Sequence, residues 1–208
     1  MNCLKIEVWN ANRLVQRSFE VSQFMTDNKI MLISETHVTN KTFFNLNNFE
    51  VYCNNLPAGT VRGGSAIIID NSINHELLSE YQTHHMQATT ILISDKSGSI
   101  AVSALYSPPR HSIKYEQYQE FFNTLRPRFI AAGEFNAKHP YWGSRTTNPK
   151  VCELFKFIQP KSRLRVPTGE PTYRPSDLNK FPDVMDLYVC KGIPSEIIQR
   201  RSNLRTTS

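Results

Sequence analysis

Polar residues collect at the ends of apolar runs in this chain. Asn10 and Asn12 follow the first run, and Glu35 follows the second in Ser34-Glu35-Thr36-His37. Tyr106 opens Tyr106-Ser107-Pro108-Pro109. Glu134 and Asn136 stand in Gly133-Glu134-Phe135-Asn136-Ala137-Lys138-His139, and Asp183 and Asp186 in a late apolar run. Carboxylates and amides converging from several strands are oxygen donors. They suit a hard cation such as Mg²⁺, which takes few protein oxygens and keeps water or substrate phosphate in its other positions. Taken singly, each has an ordinary role: a loop Asn caps a turn and a Glu after a strand faces solvent. Only their convergence would make a site. No two histidines have the i, i+4 spacing of a helical zinc site, and the cysteines at 3, 53, 152 and 190 form no CxxC pair. The cysteines read as buried free thiols of a reducing compartment, with a disulfide pair as the alternative.

The elements that must position these residues read as α/β throughout. Residues 3–9 alternate with period two, as a half-buried strand does. Residues 16–28 read as a helix whose buried face carries Val15, Phe19, Val21, Phe24 and Met25. A short apolar run at 30–34 reads as a buried strand, with further strands near 49–53, 65–70, 88–94 and 99–106. Gly63-Gly64 and Ser97-Gly98 mark turns, the second a hairpin. A helix is expected over 114–125, a strand over 128–132 and a helix over 149–159, opened by Asn148-Pro149. Residues 160–182 hold five prolines and read as a long loop before a last strand at 183–190. His75 and His111 fall in loops, and His84 and His85 precede a strand. Strand ends in layered α/β folds are where sites are usually built.

Composition bounds the function classes. With 208 residues, 39% hydrophobic and 20% charged, the chain suits a globular fold and not disorder, collagen or a coiled coil. The longest apolar runs are short, as at Ala66-Ile67-Ile68-Ile69, where a membrane span needs roughly 20 residues. The first residues are broken by charge and do not read as a secretory signal, so the expected location is intracellular, nuclear or cytoplasmic. One domain is expected over 1–195, followed by a basic tail over 196–208. The net charge of +6 lies wholly in residues 145–208, because residues 1–144 balance. A basic segment suits a polyanionic partner such as nucleic acid.

The order of the motifs adds to this. Trp-Asn-x-Asn, Ser-Glu-Thr-His, Tyr-x-Pro-Pro, Gly-acid-Phe-Asn-Ala-Lys-His and Pro-Asp-Val-Met-Asp, in that sequence, resemble the endonuclease/exonuclease/phosphatase family. More narrowly they resemble the endonuclease domain of jockey-type non-LTR retrotransposons. The stretch Asn136 to Arg145 carries the narrower likeness, with Tyr106 to His111, Gln87-Ala88-Thr89 and Pro171-Thr172-Tyr173 beside it. The resemblance implies a four-layered α/β sandwich with two packed mixed β-sheets, lacking the last strand of the family. It implies Mg²⁺ or Mn²⁺ held by Glu35 and Asn10, and a catalytic set of Asn10, Glu35, Tyr106, Glu134, Asn136 and Asp186. In this reading Glu35 is the main metal carboxylate, Tyr106 bonds the scissile phosphate or an acid of the site, and Glu134 activates water or assists the leaving group. Asn12, Arg13, Arg110, His139, Arg145, Thr172 and Arg174 would meet DNA. The reaction would nick one strand of DNA and leave a 3′ hydroxyl that primes reverse transcription. Partners would be DNA and the reverse transcriptase and other products of the element, with no membrane.

Three departures from the family pattern matter. Glu134 stands where the family has Asp, moving the carboxylate out by one methylene, roughly 1.5 Å, where a misplacement of about 1 Å can cost a hundredfold. No Asp and no His follows Asp186, so the Ser-Asp-His motif of the family is absent from these residues. Arg13 replaces a Gly of Asn-x-Asn-Gly, at a position where Gly tolerates positive φ and Arg does not do so cheaply. Two alternatives stand beside this reading. One is a catalytically inactive nucleic-acid-binding remnant that keeps the basic face, through Arg145, Lys150, Arg163, Arg165 and Arg174. The other is a phosphatase on small phosphorylated lipids or sugars, against which the Asn136 to Arg145 motif argues.

Overall fold

The computed structural model describes residues 4–26, 29–54, 62–95, 98–159, 184 and 186–194. Nine strands and three α-helices are built from them. The first sheet takes β1 (Ile6–Asn10), β2 (Ile30–Ser34), β3 (Phe49–Asn54) and β4 (Ser65–Asp70) in the order β1-β2-β4-β3. The second takes β5 (His75–Gln82), β6 (Gln87–Asp95), β7 (Gly98–Tyr106), β8 (Phe129–Glu134) and β9 (Asp186–Lys191) in chain order. Each sheet is mixed: β1 runs parallel to β2 and β7 parallel to β8, while the other pairs are antiparallel.

Period-two alternation sorts the side chains into layers. Ile30, Leu32, Ile67 and Ile69 from the first sheet meet Ile91, Ile93, Val102, Ala104 and Ala132 from the second, and these form the core between the sheets. The opposite face of the first sheet, with Met31, Ile33, Ala66 and Ile68, packs on α1 (Ser18–Met25). The opposite face of the second, with Ala101, Leu105, Phe129, Ala131 and Val189, packs on α2 (Tyr115–Thr124) and α3 (Pro149–Ile158). The result is the expected four-layered α/β sandwich, helix on sheet on sheet on helices. Its sheets are buried on both faces, which explains why β2 reads as an uninterrupted apolar run.

Three expectations differ from the structure. Val15 and Phe19 point to solvent, Phe19 at 71% exposure, and Leu14, Val21, Phe24 and Met25 form the buried face instead. The cause is a 3₁₀ turn at Leu14–Arg17 ahead of α1, whose tighter repeat moves the phase of the helix. His75 lies in β5, not in a loop. That strand escaped detection because a bulge between Leu77 and Ser79 breaks its alternation, and its edge position leaves Glu76 and Gln82 in solvent. Of the described cysteines, all free, Cys190 is buried, but Cys53 is half-buried and Cys152 exposed. The loop at 160–182 and the tail lie outside the described residues. No described helix is long and apolar enough to cross a membrane.

Candidate active site

The site is the polar end of the core between the sheets. Across the second sheet, Gln87 pairs with Tyr106, Tyr106 with Glu134, and Glu134 with Asp186, which puts four polar residues in one row. Paired residues point to the same side of a sheet. This row lies two residues beyond Ala104 and Ala132 of the core, so the four side chains continue the face that looks at the first sheet. Asn10, Ser34 and Ser65 form the matching row there. An inward-facing series that is apolar for two or three positions thus turns polar at its last one, at the carboxyl ends of the parallel strands β1, β2, β7 and β8.

A hydrogen bond joins the two sheets across this seam. Asn10 Nδ2 donates to Glu134 Oε2 at 2.5 Å. The other carboxylate oxygen of Glu134 accepts from Asn136 Nδ2 at 2.8 Å, so both oxygens are held. Asn136 Nδ2 also donates to the Ser107 carbonyl at 2.9 Å. Glu134 is only 5% exposed. Burial, together with the charges of Glu35 and Asp186, pushes its pKa up to about 8 against the opposing hydrogen bonds from Asn136 and Asn10. Tyr106 is buried beside the same acids. Desolvation, the charges of Glu35 and Glu134 and a hydrogen bond to Glu35 hold its phenol above its ordinary value, so it remains a proton donor. Burial lowers the pKa of His37, with Arg13 and Arg62 adding to the effect and Glu35 opposing it, which places all four around one point.

Backbone strain marks the same place. Among the described residues, the non-glycine ones with positive φ are Asn12 (40°), Arg13 (85°), Glu35 (52°), His37 (52°), Asn48 (68°) and Asn136 (50°). All but Asn48 lie in the segments that leave β1, β2 and β8 at the site. A left-handed Glu or Arg costs about 1–3 kcal/mol and persists only where its surroundings fix it. Backbone bonds do so here: Arg13 N donates to the Glu35 carbonyl at 3.0 Å and Leu14 N to the Thr36 carbonyl at 2.9 Å. Arg13 therefore adopts the conformation for which a glycine is better suited. Gly63 shows why a side chain is absent on the other wall: a Cβ there would lie 2.8 Å from Gln87 Oε1 and from the Tyr106 ring.

The structure thus brings Asn10, Glu35, Tyr106, Glu134, Asn136 and Asp186 to one end of the sandwich. Asn12, Arg13, Arg110 and Arg145 are exposed and His139 is half-buried, its ring stacked on Phe155 at 5.2 Å. Thr172 and Arg174, like Arg163 and Arg165, lie outside the described residues. Lys150 is a correction: it is 3% exposed and cannot reach a DNA phosphate. Three participants escaped the sequence reading. Gln87 accepts from Gly64 N at 2.6 Å, and Ser107 and Asn148 bond the Asn136 segment. Gln87 and Ser107 were visible only as parts of motifs, and Asn148 read only as the residue that opens a helix.

The donor set fits a hard cation. Glu35 offers a carboxylate and Asn10 an amide oxygen that accepts one bond, from Asn12 N at 3.0 Å. The acids Glu35, Glu134 and Asp186 crowd together closely enough to raise the Glu134 pKa, a repulsion that a cation relieves. Among the described residues no group of three or more His, Cys, Asp or Glu is placed to hold a metal ion, so the fit rests on Glu35 and the Asn10 amide oxygen.

Known proteins share this architecture. The family model described as Endonuclease-reverse transcriptase matches residues 100–192. The RNA-directed DNA polymerase from mobile element jockey of Drosophila melanogaster is 32% identical over 191 residues, 91% of this chain and 21% of that protein. The probable RNA-directed DNA polymerase from transposon X-element of the same organism is 31% identical over 193 residues, with the same shares. The chain therefore spans about a fifth of the length of these relatives. Among solved structures, the endonuclease domain of TRAS1, a telomere-specific non-LTR retrotransposon, superposes with a TM-score of 0.71 at 20% identity, over 91% of this chain and 85% of that one. The AP endonuclease LMAP from Leishmania major superposes with a TM-score of 0.65 at 10% identity, over 91% and 79%. With these matches beside the two-sheet sandwich and its polar seam, the chain has the endonuclease/exonuclease/phosphatase fold and is related, over nine-tenths of its length, to part of the jockey-type retrotransposon proteins.

Proposed function

We propose that this domain hydrolyses one strand of duplex DNA with the help of Mg²⁺ or Mn²⁺, leaving a 3′ hydroxyl from which the reverse transcriptase of the same element primes. The observation that carries the reading is the bridge from Asn10 to Glu134 across the seam, with Glu35, Tyr106 and Asp186 around it. Glu35 and the Asn10 amide oxygen would hold the cation, which when bound supplies charge stabilisation at the pentacoordinate phosphorus. Glu134, with its pKa near 8, is matched to taking a proton from water or returning one at neutral pH. Its extra methylene relative to Asp is used to span the seam, since both its oxygens are engaged. Tyr106 keeps its proton and donates it as a hydrogen bond to Glu35 or to a phosphate oxygen. Asp186 sits beside Glu134 in register and adds negative charge that keeps its pKa high. Arg13, Arg110 and Arg145, with Asn12 and His139, would hold flanking phosphates, joined by Thr172 and Arg174. A target in chromosomal DNA makes the nucleus the place of action, with synthesis in the cytoplasm.

A second reading, DNA binding without cleavage, is favoured by one observation: Glu134 stands where the family carries Asp. Supercoiled plasmid incubated with the chain and Mg²⁺, beside a Glu35→Ala control, separates the two. Nicked circles that disappear in the control support hydrolysis. Intact plasmid that is still retarded at low salt supports binding alone.

A further inference from the structure

We propose that Lys150 is a positioning residue of this site: from the first turn of α3 it anchors the Ser107–Pro108 turn, against which the Asn136 amide is aimed at Glu134. The inference rests on the hydrolytic reading above and adds to it a residue that touches no substrate.

A lysine is out of place here on general grounds. The N-terminus of a helix carries the positive end of the backbone dipole, which disfavours a cation. Burying an ammonium costs several kcal/mol unless its protons are engaged. Lys150 is the second residue of α3 and is 3% exposed. A buried methionine would fill the same length without either cost, so the charge is retained for what it bonds.

Those bonds converge on one turn. Lys150 Nζ donates to Ser107 Oγ at 2.7 Å, to the Pro108 carbonyl, and at the longer distance of 3.5 Å to the Ser107 carbonyl. The Ser107 carbonyl is also the acceptor for Asn136 Nδ2 at 2.9 Å. Ser107 N donates to the Glu134 carbonyl at 2.9 Å, and Ser107 Oγ to the His85 carbonyl at 3.0 Å. Ser107 is thereby the junction of β7, β8, the β5–β6 turn and α3. The same end of α3 grips Asn136 a second time, because Asn148 Nδ2 donates to the Asn136 carbonyl at 2.7 Å. Asn136 needs this hold. Its backbone is left-handed, and its single amide group must serve both Ser107 and Glu134. Loss of Lys150 frees Ser107 to rotate, and the Asn136 amide then follows its acceptor away from the Glu134 carboxylate.

The test uses the full chain and the variant Lys150→Met. The expected kcat for plasmid nicking falls by at least about thirtyfold, in line with small misplacements of catalytic groups. The dissociation constant for uncleaved duplex in Ca²⁺, and its slope against salt, stay within about twofold of wild type, because Lys150 contacts no phosphate. The side-chain amide of Asn136, followed by ¹⁵N NMR, is expected to move in the variant while distant amides do not. Nicking within threefold of wild type with an unmoved Asn136 amide overturns the inference, as does a flattened salt slope, which would make Lys150 a DNA contact. If Lys150→Met does not fold, Ser107→Ala decides: a displaced Asn136 amide supports the inference and an unmoved one overturns it. If the wild type does not nick, the hydrolytic reading fails, and the NMR comparison still judges the role of Lys150.

Discussion

Arg13 combines backbone strain with a proposed contact to DNA. It holds φ 85° and ψ 80° ahead of the 3₁₀ turn, fixed by the bond from its N–H to the Glu35 carbonyl. Arg13→Gly removes a left-handed penalty of about 1 kcal/mol or more, and the melting temperature is expected to rise by a few degrees. The same change removes a cation beside the site. The slope of log K for duplex DNA against log salt should fall in magnitude by about 0.9 if Arg13 meets one phosphate. An unchanged slope would assign Arg13 to structure alone. Lys150 supplies a pH prediction. Burial pushes its pKa down from 10.5 to about 8, opposed by Glu134, and His85 is the other titratable group near it. Between these values the unfolded chain binds the proton and the folded one does not, so this contribution to stability rises with pH. Denaturant titrations at pH 7.5 and 10 should show the wild type gaining roughly 1–3 kcal/mol relative to Lys150→Met. Residues at strand ends, Asn10, Glu35 and Asn136 among them, were legible in the sequence because strand ends are few. Lys150 was not, because a lysine in an amphipathic helix reads as solvated until its surroundings are seen.

Elements were legible where alternation is regular and obscured where geometry shifts its phase. The strands at 30–34 and 65–70 and the helix after Asn148-Pro149 stand as expected, since both strands are buried on both faces and the helix begins with a side-chain cap and a proline. The phase of α1 was lost to the preceding 3₁₀ turn, and β5 was lost to its bulge. Asn148 shows how an ordinary cap becomes part of a site. Its Oδ1 accepts from Val151 N and Lys138 N, both at 3.2 Å, while its Nδ2 holds the Asn136 carbonyl. Asn148→Ala should cost the usual cap energy, about 1 kcal/mol, and nicking should fall tenfold or more beyond what that loss explains. Asn148→Asp separates the two roles: it keeps the cap oxygen and loses the donor to Asn136, so it should restore the melting temperature without restoring the rate. Restoration of both would leave Asn148 as a cap only.

At the scale of the molecule the site exists only because two sheets meet. Asn10 comes from one and Glu134 from the other, and the 2.5 Å bond between them spans the seam. The spacing of the sheets, about 10 Å in packed pairs, is set by the small and branched side chains between them. Ala104 and Ala132, fully or almost fully buried, lie two residues before Tyr106 and Glu134 on the same face. A larger side chain there pushes on the opposite sheet close to the bridge. Ala132→Leu should therefore cost about 1–3 kcal/mol through overpacking, and its effect on the rate should exceed its effect on stability. The control is Ala101→Leu, which overpacks the other face of the second sheet, against the helices, and leaves the seam alone. Measured well below both melting temperatures, at saturating DNA, nicking should drop at least tenfold in Ala132→Leu and less than threefold in Ala101→Leu. Equal losses in the two variants would mean that stability, and not the distance between the sheets, governs the rate. A selective loss would mean that the packing between the sheets sets the distance across which Glu134 works.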